Sequence, residues 1–203
     1  MAIPKLADLS AEDIRQAVVE RYGEVATDPT GAFNFPVGRA FAEAIGYPAA
    51  TLDDVPEEAR RSFAGVTYFH SRTGLTPGDV VLDLGCGAGM DMIIAARAVA
   101  PDGHVIGVDY SDAMVALARE NAQRAGVTNV QVHHAPVEAL PLPDASIDVA
   151  QANGVFNLAP EKERAVASVF RVLKPGGRLI VAEIGLQHEV PAADRATLQD
   201  WFR

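Results

Sequence analysis

The spacing of apolar positions along the chain changes near residue 75. Before that point apolar residues recur at helical intervals. Ile14, Val18 and Tyr22 stand four apart, which is one face of a helix predicted over 11–26. Ser10 is placed to cap that helix, and Asp13 to return the reciprocal bond of a capping box. Asp28-Pro29 and Gly31 break the segment 27–36. A second helix is predicted over 37–45, and a third from Pro56, since proline suits a first helical position. The piece 64–73 follows neither period. From Pro77 onward, apolar runs at 80–84, 104–109, 130–134, 147–152 and 178–184 alternate with helical patterns. Those helices are predicted over 91–99, from Ser111 or Asp112 to Ala125 with Gly126 closing it, and over 161–172. Nearly continuous apolar strands between helices mean a mainly parallel sheet covered on both faces. The fold class is therefore α/β and doubly wound. An N-terminal helical cap (1–75) lies over a core (76–203).

Charge and cysteine count narrow the chemistry. The 203 residues carry 17 Lys and Arg against 27 Asp and Glu, a net charge of −10. That balance disfavours nucleic acid as a partner, because phosphates require a basic face. Hydrophobic residues at 49% and charged ones at 22% are ordinary for a folded globular chain. The one cysteine, Cys86, excludes an intrachain disulfide and a multi-thiolate site, and no metal centre is expected. The opening MAIPKLADLS has no apolar run behind a basic flank, and no stretch approaches the ~20 apolar residues of a membrane helix. A cytoplasmic protein with no membrane partner is expected.

The informative stretch is Val80-Val81-Leu82-Asp83-Leu84-Gly85-Cys86-Gly87-Ala88-Gly89. A strand runs into three glycines and then into a helix, whose N-terminus offers unpaired N–H groups and a positive dipole end. Twenty residues beyond Gly89, at the end of the next strand, stands Asp109. A carboxylate there accepts hydrogen bonds from the ribose hydroxyls of a nucleotide. The dinucleotide fingerprint is G-x-G-x-x-G, whereas the spacing here is one residue shorter, with Asp83 just before the first glycine. A carboxylate beside the loop is awkward for a pyrophosphate. It suits a cationic ligand without phosphate, and S-adenosylmethionine is one.

Four ordered blocks carry a family resemblance: 80–89, Gly107-Val108-Asp109, Leu140-Pro141-Leu142-Pro143-Asp144, and Val172-Leu173-Lys174-Pro175-Gly176-Gly177-Arg178. They resemble the class I S-adenosylmethionine-dependent methyltransferases over residues 75–185. Three more stretches, Val19–Gly23, Ala118–Ala122 and Asn153–Leu158, make the chain similar to the arsenite methyltransferase group. The resemblance implies a sheet in the order 3-2-1-4-5, the cofactor S-adenosylmethionine and methyl transfer to a small-molecule acceptor. It implies that Asp83 and the backbone of Gly85, Cys86, Gly87 and Gly89 hold the methionine end. Asp109 then holds the ribose and Tyr110 packs beside the adenine. Asn153 lies under the methionine moiety, close to the acceptor. Where the family commonly has an acid that meets the adenine amino group, this chain has Pro136, which leaves the backbone of Val137 or the side chain of Glu138 for that contact.

A second departure concerns arsenic. The family's arsenic-binding cysteines fall within the stretch aligned with 65–67 and at position 154, which is Gly154 here. Cys86, inside the glycine turn, is expected to be packed and not reactive. Arsenic chemistry is therefore not expected. Candidate bases or positioning groups are Tyr22, Tyr68, His70 and His188, with Tyr22 on a helix that the family folds over the cofactor; Asn153 joins Tyr22 and His70 as a catalytic candidate. The alternative to an active enzyme is an inactive S-adenosylmethionine-binding protein. A nicotinamide oxidoreductase is disfavoured by the glycine spacing. The family usually carries two further antiparallel strands, apparently absent here, which makes 178–184 an apolar edge. Its cover is expected to be a second copy, giving a homodimer, or the tail 192–203 folded back.

Overall fold

A computed structural model of the chain describes residues 8–185 together with His188 and Thr197. Helix α1 spans Ala11–Thr27, and its N-terminus carries the expected capping box: the Ser10 hydroxyl accepts from the Asp13 N–H, and the Asp13 carboxylate accepts from the Ser10 N–H. Four short helices follow: α2 (Arg39–Ala44), α3 (Ala49–Asp53), α4 (Glu57–Arg61) and α5 (His70–Thr73). Helices α3 and α4 depart from expectation, and α5 lies in the piece that follows neither period. Helix α3 was not anticipated, because five residues are too few for a 3.6-residue period to show. Pro56 is the N-cap of α4 with extended ψ of 144°, one position before the helical residue expected.

The rest alternates strand and helix: β1 (Val80–Leu84), α6 (Met90–Val99), β2 (His104–Asp109), α7 (Asp112–Arg124), β3 (Val130–His134), β4 (Ile147–Asn153), α8 (Lys162–Val172) and β5 (Leu173–Ala182). The five strands form one parallel sheet in the order β3-β2-β1-β4-β5. Strand β5 begins five residues earlier than the apolar run suggests. Leu173 pairs with Ile147, the register then shifts, and Arg178 pairs with Val149, so the Pro175-Gly176-Gly177 stretch bulges within the strand. Val181 and Ile184, at the far end of this edge, are exposed. The tail expected to cover it lies, apart from Thr197, outside the described residues.

Alternation along the strands explains the two layers. Leu82 and Leu84 face one side, where they pack with Ala165, Val169 and Val172 of α8. Val81, Val105 and Val149 face the other, against Met92 and Ala96 of α6 and Val115 of α7. A third cluster joins Leu52, Val55 and Phe63 to Met90 and Ile93, which seats the short helices on α6. Val25 of α1 meets Met114 of α7 and Ala88 of the glycine turn. The N-terminal elements thus come to rest over the carboxyl ends of the strands, where open α/β sheets hold their ligands. Among the described residues no helix is long and apolar enough to cross a membrane.

Candidate active site

An open cavity lies between α1 and the carboxyl ends of β1, β2 and β4. The turn after β1 forms its floor. Gly85, at φ +61°, brings the backbone so close to Val155 that a Cβ would meet Val155 Cγ2 at 2.7 Å. The Cys86 N–H donates to the Val108 carbonyl at 3.0 Å and ties the turn to β2. The amide of Asn121, on α7, donates to the Ala88 carbonyl at 2.9 Å. Cys86 is buried, and burial, with Asp109 and Asp83 nearby, pushes its thiol well up. It is a packed, protonated thiol.

Two carboxylates flank the turn. Asp83, on β1, is 2% exposed and sits in register beside Gln151 on β4, whose amide donates to its Oδ1 at 3.0 Å. Its other oxygen, Oδ2, has no hydrogen-bond partner. Burial, with Asp91 and Asp109 close by, raises Asp83 well above the usual carboxylate range. Asp109, at the end of β2, accepts from the Gly87 N–H through Oδ2 and from the Ser111 N–H through Oδ1, each at 2.9 Å. Burial raises it as well, against the pull of those N–H groups. Tyr110 stacks on His134 with ring centroids 5.4 Å apart and lines the same end of the cavity as Pro136, Val137 and Glu138.

At the opposite end the structure assembles a network that the sequence did not reveal. Asp91, in the first turn of α6, accepts from the Tyr47 hydroxyl (2.6 Å), from His70 Nε2 (2.8 Å) and from the Asn153 amide (2.9 Å). Asn153 also reaches back to the cap: its Oδ1 accepts from the N–H groups of Val66 (2.7 Å) and Thr67 (3.3 Å), and its Nδ2 donates to the Thr67 carbonyl. Asn153 lines the cavity, yet both ends of its amide are committed to the cap. His70 does not line the cavity; it stands behind Asp91. Tyr22 does line it, stacked on Phe35 at 5.5 Å. Burial, with Asp109 and Glu183 nearby, pushes the Tyr22 phenol up, which disfavours it as a base.

Tyr47, Asp91, Gln151 and Arg15 were missed from sequence. Asp91 shares the otherwise apolar run 90–99 with Arg97, and Gln151 shares 147–152 with Asp148; a polar residue inside such a run was the available signal. Arg15, on α1, gave none. It pairs with Glu12 (3.0 Å), with Glu161, and with Glu138 (3.5 Å) across the cavity rim. Among the described residues no group of three or more His, Cys, Asp and Glu side chains is arranged to hold a metal ion.

With this geometry in view, the comparisons with known proteins are decisive. A family model described as a methyltransferase domain matches residues 75–203. This chain belongs to the S-adenosylmethionine-dependent methyltransferase family. Within that family, an arsenite methyltransferase of Halobacterium salinarum is 37% identical over 195 residues, covering 88% of this chain and 49% of that protein. A ubiquinone/menaquinone biosynthesis C-methyltransferase of a Marinomonas species is 40% identical over 115 residues, 56% of this chain and 45% of that one. The crystal structure of an arsenic(III) S-adenosylmethionine methyltransferase from Chlamydomonas reinhardtii matches with a TM-score of 0.65 at 32% identity, covering 72% and 51% of the two chains. This methyltransferase-family chain spans about half the length of the curated relatives it matches.

Proposed function

We propose that the chain binds S-adenosylmethionine across the ends of β1 and β2 and transfers its methyl group to a small-molecule acceptor. The observation that carries this reading is Asp83 Oδ2, a buried carboxylate oxygen with no partner beside a glycine turn. A buried polar atom left unpaired is costly, and the ammonium of the cofactor's methionine end relieves that cost. Each Asp109 oxygen keeps a lone pair beyond its backbone bond, as a pair of ribose hydroxyls requires. Glu138 Oε1, ion-paired with Arg15 Nε at 3.5 Å but accepting no hydrogen bond, suits the adenine amino group where Pro136 offers none.

When bound, the cofactor supplies a methyl group already activated by its sulfonium. The residues of the chain bind, orient and exclude water. Asp83, the main chain of Gly85–Gly89 and Asp109 fix one reactant. Ala64 and Gly65, next to the main chain that Asn153 holds, wall the other. A general base is required only for an acceptor that must lose a proton. Calorimetric titration with S-adenosylmethionine and with NAD tests the site: the first is expected to saturate it, and saturation by NAD instead overturns the assignment. Release of S-adenosylhomocysteine across an acceptor panel tests the transfer.

Arsenite is not the acceptor we expect for these 203 residues, although the relatives above carry that name. A trithiolate needs three sulfurs, and the chain offers one buried, protonated thiol. Incubated with arsenite, S-adenosylmethionine and a reductant, the protein is expected to give no methylated arsenic above a heat-killed control.

A further inference from the structure

One guanidinium joins three parts of the chain at the cavity rim. Arg15, on α1, donates through Nη1 to Glu12 of the same helix at 3.0 Å and through Nη2 to Glu161, the N-cap of α8. Its Nε stands 3.5 Å from Oε1 of Glu138, which follows β3. The two side chains are 16% and 4% exposed, and both residues line the cavity. Hydrogen bonds at both terminal nitrogens fix the plane of the guanidinium, so Nε is held at a set place beside Glu138. At that separation, and with neither atom hydrogen-bonded, the pair attracts as charges without joining as donor and acceptor. Lys162 also attracts Glu138, but its Nζ donates to the carbonyls of Asn157 and Ala159. Glu138 is oriented, and Oε1 is left open.

A buried carboxylate oxygen that accepts from no donor is costly, and a strut alone gives no reason for it, since a slightly shorter contact would satisfy both atoms. A donor brought by a ligand does give one. Tyr110, Pro136 and Val137 line the same end of the cavity, which is the adenine end on the cofactor assignment under Proposed function. We propose that Arg15 is a positioning residue: it holds Glu138 so that Oε1 accepts from the 6-amino group, and α1 thereby selects a 6-aminopurine over a 6-oxopurine. An oxo base carries an acceptor at that place. Its lone pairs repel the carboxylate, and Oε1 stays unpaired. The inference rests on the cofactor assignment and adds to it a part for the cap in reading the base.

Calorimetric titration with S-adenosylhomocysteine and with its 6-oxo counterpart, S-inosylhomocysteine, tests this. The parent is expected to bind the amino compound at least ~20-fold more tightly. Arg15→Met keeps an unbranched stem and removes the fork; the ratio is expected to fall to about threefold, through weaker binding of the amino compound. Glu138→Gln can turn an amide N–H toward a 6-oxo group, and its ratio is expected to approach one or invert. Glu161→Gln, at a partly exposed side chain, loosens one bond that fixes the guanidinium and is expected to lower the ratio about twofold. A strut without a part in recognition gives another pattern: Arg15→Met then weakens both compounds alike and the ratio holds, which overturns the proposal. If Arg15→Met does not fold, an unchanged ratio in Glu161→Gln overturns it. So does a parent that binds both compounds equally. A parent that binds neither is a different result: it removes the cofactor assignment and this inference together.

Discussion

The two ends of the cavity use polar side chains in opposite ways. At the β1–β2 end, Asp83 and Asp109 are held by a neighbouring strand and by main-chain N–H groups, and each keeps capacity for another donor. At the cap end, Asp91 takes three donors from Tyr47, His70 and Asn153, and Asn153 has both halves of its amide engaged. On the function proposed, the first end is prepared for a ligand. The second is a clasp, and its polarity holds the chain together. Burial of a polar residue near a cavity is thus no sign that it meets the substrate; what matters is whether its partners are already present.

Disrupting the ligand-ready end should have the largest effect. On the assignment proposed, Asp109→Ala removes two ribose acceptors, and S-adenosylmethionine affinity should fall by ~2–4 kcal/mol, since charge-assisted bonds contribute ~1.5–3 each. Unchanged affinity in a calorimetric titration would place the ribose elsewhere. At the clasp, Asn153→Ala should cost about 2–3 kcal/mol in urea denaturation, because Asp91 and the main chain of Val66 and Thr67 lose partners. Its cofactor affinity should change little. If cofactor binding collapses while stability holds, the two ends have been misjudged.

Asp83 sharpens the contrast through its sign. Its folded pKa is raised, so the folded chain keeps a proton that the unfolded chain releases above about pH 4. Stability conferred by the folded state is therefore lost as pH rises from that lower value through the raised one. The isosteric Asp83→Asn does not titrate. It should be more stable than the parent at pH 8, by about 1 kcal/mol, with the gap closing toward pH 4. The same substitution should weaken S-adenosylmethionine, whose binding to the parent should tighten as pH rises. Parallel melting curves at pH 5 and pH 8 distinguish this from a simple loss of packing. The smallest effect belongs to Ser10→Ala at the outer end of α1, which should cost about 1 kcal/mol of cap stability and leave cofactor affinity alone.

Legibility in the sequence follows the same division. Strands β1, β2 and β3 fall where the apolar runs place them, and β4 gains only Asn153. Asp83, the glycine turn and Asp109 are local signals, each fixed by its place at the end of a strand. The clasp is not local. Tyr47 and Asp91 are separated by 44 residues, Asn153 and Asp91 by 62, and Asn153 and Tyr47 by 106. No short-range period encodes such meetings; they arise when the cap is laid on the sheet. For the same reason His70, read as a candidate for chemistry, turned out to stand behind Asp91. The start of β5 was obscured by local chemistry, since Pro175-Gly176-Gly177 carries turn residues inside a bulged strand.

The grip of Asn153 has an evolutionary consequence. It holds Val66 and Thr67 by main-chain atoms alone, so the side chains at those two positions can drift without loosening the anchor. Gly65 beside them is not so free: a Cβ there would clash with Phe63 Cζ and meet Asn153 Nδ2 at 2.6 Å. A segment fastened by its backbone at two residues, beside a glycine that cannot change, can be re-lettered like a type slug in a fixed frame. Selection can thus vary this part of the cap beside the cavity while the sheet beneath, and the seat on it, stay unchanged.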